Sequence, residues 1–242
     1  MEEVTIEAVV LRRRDSGESD RRLTVFSREL GKIDLVAKGA RKPTSRLAAV
    51  SEPLSWARFT FAPGKRTSYV TQAQMMSRYK GLRKDYDRLQ SALAYLELCE
   101  QVLPYGLVEA ETFQTINLCL EHLDSHPKPL IANVWCQVKL LEVTGHLPSF
   151  ESSEDGTDLS PGLNWYSLEA GGLCSFATAS TVRDSFQVSA EILLALARLT
   201  DLDSPPGNIV EAKGCNSVLF RTWLQIVQAE LSATKTLLEL YD

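Results

Sequence analysis

Three histidines occur among the 242 residues, His122, His126 and His146, and none has a cysteine or carboxylate partner at a recognised metal-ligand spacing. His122 and His126 are four apart, but Pro127 puts the second at a helix exit, and His146 after Gly145 reads as a helix-cap partner. The sequence has no Cys-x-x-Cys. Its five cysteines, Cys99, Cys119, Cys136, Cys174 and Cys215, are odd in number and widely spaced, which excludes a disulfide framework. Also missing are a Walker-type phosphate loop, Gly-x-Ser-x-Gly, His-Glu-x-x-His and the Rossmann glycine pattern. Gly171 and Gly172 lack the helix start that anion binding needs, and Glu97, Glu100 and Glu111 read as solvated helix faces. With no nucleophile–base pair visible, the expectation is a protein without catalytic residues, bound metal or cofactor. The longest apolar stretch, near residues 192–199, is too short to span a bilayer and contains Arg198. Glu2 and Glu3 are acidic where a secretory signal is basic. A reduced, cytoplasmic protein is expected.

What is present is a charge split along the chain. Residues 1–90 hold 19 Lys and Arg against 11 Asp and Glu, whereas residues 91–242 hold 7 against 20. Phosphates respond to local field rather than to whole-chain charge, so the net −5 does not argue against nucleic acid. Hydrophobic content of 44% and charged content of 24% are ordinary for a globular chain, and the length suits two domains.

The first eighty residues have strand character. Residues 4–12, 22–27, 32–38, 54–61 and 67–73 alternate or are rich in β-branched and aromatic residues, with turn signals at Leu30-Gly31 and Pro63-Gly64. Five short strands leave two exposed edges unless they close, so a small barrel is predicted. After Tyr79 the period becomes helical, over 86–103, 108–123, 129–144, 187–199 and 217–240, and residues 146–178 form a loop-rich interruption in which only 163–168 looks strand-like. The reading is α+β: a five-stranded barrel over 1–79, then a helical bundle over 80–242 with an insertion at 146–178.

The candidate nucleic-acid ligands are cations of the barrel. Lys38, Arg41, Lys42 and Arg46 lie in one loop with no interleaved acid, held out of regular structure by Gly39 and Pro43. Arg12 and Arg14 end the first strand, Arg28 and Lys32 flank the hairpin, and Lys65 and Arg66 sit at another loop tip. Loops at the rim of a small barrel converge, and that rim with one sheet face is where such barrels bind oligonucleotides. The alternative for residues 12–32 is a solvated, charge-rich surface, because Asp15, Glu18, Asp20 and Glu29 are interleaved there. Phe26, Trp56, Phe59, Phe61 and Tyr69 could stack on bases, but a barrel this small must also fill its interior, and core is the better reading for most of them.

Several stretches resemble the RecO family of bacterial recombination mediators. They are Ala8-Val9-Val10-Leu11-Arg12, Gly17-Glu18-x-Asp20, the run from Leu23 to Lys32, and the run from Ala37 to Leu47. Leu82-Arg83-x-Asp85, Lys139-Leu140-Leu141 with Gly145 and Pro148, and Glu230-Leu231 with Lys235, Leu237 and Leu238 are similar to later parts of the family pattern. The resemblance implies an N-terminal OB-fold and a helical domain carrying a degenerate zinc-finger-like insertion. It implies DNA repair by binding single- and double-stranded DNA, annealing complementary strands without ATP, and loading RecA onto DNA coated by single-strand-binding protein. The implied partners are RecR and the acidic, Phe-terminated tail of single-strand-binding protein, with a nucleoid-associated location and no membrane. Lys139, Arg183 and Arg221 are candidates for receiving that tail. Many members hold zinc with two cysteine pairs, which would fall here at Ser153, Gly156, Cys174 and Ala177. One ligand of four remains, so an insertion without zinc is implied. The rival readings are an OB-type module for RNA with no recombination role, and a nuclease, for which no acidic cluster able to hold Mg²⁺ stands out.

Overall fold

The computed structural model describes residues 2–76, 79–153 and 155–241. The chain separates into two compact units, Met1–Ser125 and His126–Asp242.

The first unit opens with β1 (Val4–Ser16), β2 (Asp20–Ser27) and β3 (Gly31–Ala37), passes through the single turn α1 (Leu47–Val50), and continues with β4 (Trp56–Ala62) and β5 (Ser68–Met75). These strands close into a barrel of order β1-β2-β3-β5-β4, as the strand count predicts. All neighbours are antiparallel except β3 and β5, which pair in parallel at Leu35 with Ser68 and Val36 with Tyr69. Alternation delivers Ile6, Ala8, Val10, Leu23, Val25, Leu35, Phe59 and Phe61 to one interior cluster. Each fully buried side chain of this kind contributes about 1.5–3 kcal/mol.

Strand β1 does not end at Arg12. A register shift between Val10 and Arg12 carries it on to Ser16, so that Arg13 and Arg14 face Leu23 and Arg22 across a long hairpin. The extension stands in solvent, where no apolar alternation is needed to mark it.

The barrel's outer face over β1, β2 and β4 is covered by the two helices that follow, α2 (Tyr86–Val102) and α3 (Ala110–Ser125). Phe113 of α3 packs against Phe26 and Trp56, with ring centroids 5.9 and 5.6 Å apart. That contact explains why strand β2 is buried on both faces. Helix α2 starts at Asp85, whose carboxylate accepts the Arg88 N–H at 2.8 Å. The segment between the helices lies against the start of β3: the Gly106 N–H donates to the Lys32 carbonyl at 2.9 Å. Gly31 makes this possible, since its φ is +64° and an added Cβ would stand 2.0 Å from the Leu107 carbonyl oxygen.

The second unit is built on α4 (Pro129–Val143), buried around its whole circumference, with α6 (Ala190–Thr200) and α7 (Ala212–Val227) beside it. Between α4 and α6 lie β6 (Leu163–Ser167), β7 (Gly172–Cys174), the turn α5 (Phe176–Ala179) and β8 (Phe186–Ser189), and the unit ends with α8 (Ser232–Tyr241). The strand-like stretch at 163–168 is β6, the centre of a three-stranded antiparallel sheet of order β7-β6-β8; β7 lies where a loop is expected, and residues 187–189, expected as helix, belong to β8. Tyr166 anchors this sheet: it is buried, its ring lies 6.4 Å from Phe150 and 5.4 Å from Phe186, and its hydroxyl meets Thr222 Oγ1 at 3.1 Å. Leu163 and Phe176 are exposed, the Phe176 ring lying 5.7 Å from that of Trp165. The helix predicted over 217–240 is two helices, because Gln228 adopts a left-handed φ of 48° and caps α7 onto the Leu224 carbonyl.

Among the described residues no helix is long and apolar enough to cross a membrane.

Candidate nucleic-acid interface

The strand directions place each loop at one end of the barrel. Strands β1, β3 and β5 finish, and β2 and β4 begin, at a first rim, which therefore carries the β1–β2 turn and the loop from Lys38 to Arg46. The β2–β3 turn and the loop 63–67 fall at the opposite rim. Arg14, Lys38, Arg41, Lys42 and Arg46 thus share one end, whereas Arg28, Lys65 and Arg66 share the other.

The first-rim loop is held by its backbone. The Gly39 N–H donates to the Asp20 carboxylate at 2.8 Å and the Arg41 N–H to the Ser19 carbonyl at 2.9 Å. Two further turns follow, from the Lys42 N–H to the Gly39 carbonyl at 3.0 Å and from the Ser45 N–H to the Lys42 carbonyl at 2.9 Å. Ala40 is fully buried in the barrel cluster. The cationic side chains are consequently not needed to fold the loop, and Lys38, Lys42 and Arg46 remain exposed. Among the described residues none of these three has a carboxylate within ion-pair distance. Arg41 is half committed: its guanidinium reaches the Gly17 carbonyl at 3.2 Å and Asp15 at 3.4 Å. Arg14 stands directly opposite Arg22 on the hairpin, and both are exposed. Like charges paired across a hairpin repel, and a bound anion relieves that repulsion. Only the register reveals that Arg22 belongs beside Arg14.

Arg12 and Lys32 are engaged differently. Arg12 lies 3.4 Å from Glu100 on α2. Lys32 is 4% exposed, donates to the Glu100 carbonyl at 2.7 Å and lies 4.5 Å above the Tyr105 ring. Burial lowers its pKa, against the opposing pull of Glu100 and Asp34. Its ammonium serves the last turn of α2 rather than solvent, so the structure places Lys32 apart from the exposed cations of the rim.

Between the rims, the outer face formed by Thr5 and Glu7 of β1, by Arg58 and Thr60 of β4 and by β5 lies beyond the helices and remains open and almost neutral. Arg58 pairs with Glu7 at 2.6 Å and Thr5 with Thr60 at 2.9 Å, while Thr71, Gln72 and Gln74 are exposed. Of the five aromatics considered for base stacking, Phe26, Trp56, Phe59 and Phe61 are buried; Tyr69 is 39% exposed.

Residues of the second unit offer two further features. Arg183 and Arg221 meet at a cavity of about 280 Å³ walled by Tyr166, Leu168, Phe186 and Leu224, and the Arg221 guanidinium lies 4.6 Å above the Phe186 ring. Lys139 is occupied elsewhere, with its ammonium on the Thr200 carbonyl at 2.7 Å and on Glu142 at 3.0 Å.

The second feature is the pair of turns where zinc ligands would fall. There the Asp155 carboxylate accepts from the Ser153 hydroxyl, from the Thr157 N–H at 3.2 Å, from the Ser175 N–H at 3.1 Å and from the Thr178 hydroxyl at 2.5 Å. These bonds, led by those from Ser153 and Thr178, hold the carboxyl well below the usual carboxylate range. One carboxylate thus ties residues 153–157 to residues 175–178. Cys174 is buried and desolvation raises its thiol pKa. Among the described residues no group of three His, Cys, Asp or Glu is placed to hold a metal ion. The donor set does not fit zinc. All five cysteines are buried, and desolvation pushes the Cys215 thiol up to about 12.

Comparison with known proteins places these features. Residues 1–79 match the family model described as recombination protein O N terminal, and residues 83–212 match recombination protein O C terminal. The DNA repair protein RecO of Heliobacterium modesticaldum is 35% identical over 172 residues, covering 69% of this chain and 62% of that relative. Its counterpart from Bacillus cytotoxicus is 31% identical over 147 residues, covering 61% and 59%, and that from Bacillus cereus 29% over 170 residues, covering 70% and 68%. The chain spans about three fifths of the length of the first two of these curated relatives.

Proposed function

The chain belongs to the recombination protein O family, and from that premise we propose that it acts in DNA repair and recombination as a mediator without a catalytic site. Its barrel would bind single- and double-stranded DNA. The observation that carries this reading is the loop from Lys38 to Arg46, an acid-free cationic loop held through its backbone, which leaves Lys38, Lys42 and Arg46 free to contact phosphate. Annealing needs no more chemistry than this. Two strands repel through their phosphates; a cationic surface that holds both raises their local concentration and lowers that barrier, and base pairing supplies the free energy. In the same reading the protein works with RecR and helps load RecA onto DNA covered by single-strand-binding protein.

The binding set proposed for the first rim is Lys38, Lys42, Arg46, Arg41 and Arg14, joined by Arg22. Arg28, Lys65 and Arg66 form a second group at the opposite rim, and Arg12 is a weaker member because Glu100 partly neutralises it. Reversing Arg41, Lys42 and Arg46 to Glu is expected to weaken DNA binding by two orders of magnitude or more at low salt. The plot of log K against log salt should flatten by about 2, since each phosphate contact contributes roughly 0.7–0.9 to the slope. An unchanged slope would sink the assignment. Running the same titration with RNA of equal sequence separates this reading from an RNA module, which would prefer RNA.

The acidic, Phe-terminated tail of single-strand-binding protein is proposed to dock at the Arg183–Arg221 cavity. An aromatic side chain suits its apolar wall, and the two guanidinium groups suit a carboxylate. Arg183→Glu with Arg221→Glu is expected to weaken a fluorescent tail peptide at least tenfold without changing DNA affinity. Tail binding that survives both reversals would refute this site.

A further inference from the structure

We infer that Tyr69 and Lys38 form a single-nucleotide contact that distinguishes unpaired from paired strands, an inference that rests on the DNA-binding reading above. Barrel closure creates the pair. The parallel register sets Val36 opposite Tyr69, so Lys38, two residues beyond Val36, comes beside a residue 31 positions away in the chain. The Lys38 ammonium lies 4.2 Å above the Tyr69 ring centroid, and the ring is 39% exposed. Around it the open β4–β5 face carries Thr60, Thr71, Gln72 and Gln74, which do not repel phosphate, and the Glu7 carboxylate beside them is paired with Arg58 at 2.6 Å. Lys65 and Arg66 lie just before β5 in the chain, so a strand crossing this face passes from one cationic rim to the other.

The pair offers both halves of a nucleotide contact: a base that stacks on the ring takes the place the ammonium holds 4.2 Å above it, and the displaced ammonium turns to the phosphate. In a duplex the bases are stacked on one another and their faces are closed, so only the cation can be used. The ligand class is therefore a strand with exposed bases, and the tyrosine is the element that reads exposure. Sequence alone gave Tyr69 no advantage over Phe59 or Phe61, because all three lie on strands of the same barrel.

The test compares Tyr69→Ala, Tyr69→Phe and Lys38→Met in the full chain, using one oligonucleotide single-stranded and annealed to its complement. Tyr69→Ala should weaken the single strand by roughly 5- to 150-fold and leave the duplex within twofold. Tyr69→Phe keeps the ring and should bind both as the wild type does. Lys38→Met should weaken both forms and reduce the salt slope of each by about one contact, whereas Tyr69→Ala leaves the slopes unchanged. Thermal midpoints matching the wild type show that each variant is folded, and Tyr69→Phe reads the ring even where the alanine variant is unstable. Equal loss on both forms with Tyr69→Ala, no loss on either, or single-strand loss with Tyr69→Phe would overturn the inference. A wild-type protein that binds neither form would instead overturn the DNA-binding reading itself.

Discussion

Two loops of this protein are organised by one aspartate each, and they put the same device to opposite uses. In the barrel, Asp20 accepts a backbone N–H from Gly39 and the hydroxyl of its neighbour Ser19, and the cations that follow are left facing solvent. In the inserted sheet, Asp155 accepts from two backbone N–H groups and two hydroxyls, so the side chains of Ser153 and Thr178 are committed to it. A carboxylate that takes the loop's backbone and none of the loop's own side chains leaves those side chains available for a ligand. One that also collects side chains makes a closed structural knot. The first arrangement suits binding and the second suits holding a turn pair together where the sequence has lost three of four metal ligands.

Charge teaches a related lesson. Residues 1–79 hold 15 Lys and Arg against 9 Asp and Glu, while residues 80–125, which include the helices packed on the barrel, hold 4 against 8. The change of sign therefore runs through the first compact unit and not between the units. Arg12 and Lys32 are the residues that this inner boundary consumes, through Glu100.

The contrast can be broken at two points. Lys32→Met keeps the buried stem and removes the ammonium, leaving the Glu100 carbonyl without its donor; denaturant unfolding should show a loss of about 1–2 kcal/mol. DNA affinity should stay within twofold, unlike Lys38→Met, and a parallel fall in affinity would show that the Lys32 ammonium does reach phosphate. A smaller, local effect is expected for Asp155→Asn. Hydrogen exchange at the Thr157 and Ser175 amides should quicken while barrel amides keep their protection, and a chelator should leave wild-type exchange unchanged. Because the folded Asp155 carboxyl lies below its unfolded value near 3.9, its stabilisation is fully present above that pH. It is lost as the pH falls through the lower folded value, so the difference between wild type and Asp155→Asn should vanish in strong acid. Unaltered exchange in the variant at neutral pH would show that the turns are held by something else.

Much of the fold was legible because burial imposes period. The interior residues Leu23, Val25, Phe59 and Phe61 could be placed from alternation, and α2, α3 and α4 from helical spacing and their caps. Where period was uninformative the reading fell short. The hairpin beyond Arg12 stands in solvent, and the strands β7 and β8 are only 3 and 4 residues long. The break at Gln228 needs a left-handed residue that is not glycine, while the apolar spacing continues across it.

The sequence by itself determined that a basic barrel precedes acidic helices and that the loop from Lys38 to Arg46 contains no acid. These are properties of neighbours along the chain, which local composition records. Tertiary structure alone decided which cations are free, since Lys32 and Lys38 differ in nothing local that foretells burial of one and exposure of the other. It also decided that Arg22 joins Arg14 and that Tyr69 meets Lys38. Those pairings depend on strand register and barrel closure, and register is set by the packing of the whole core, not by the residues that it brings together.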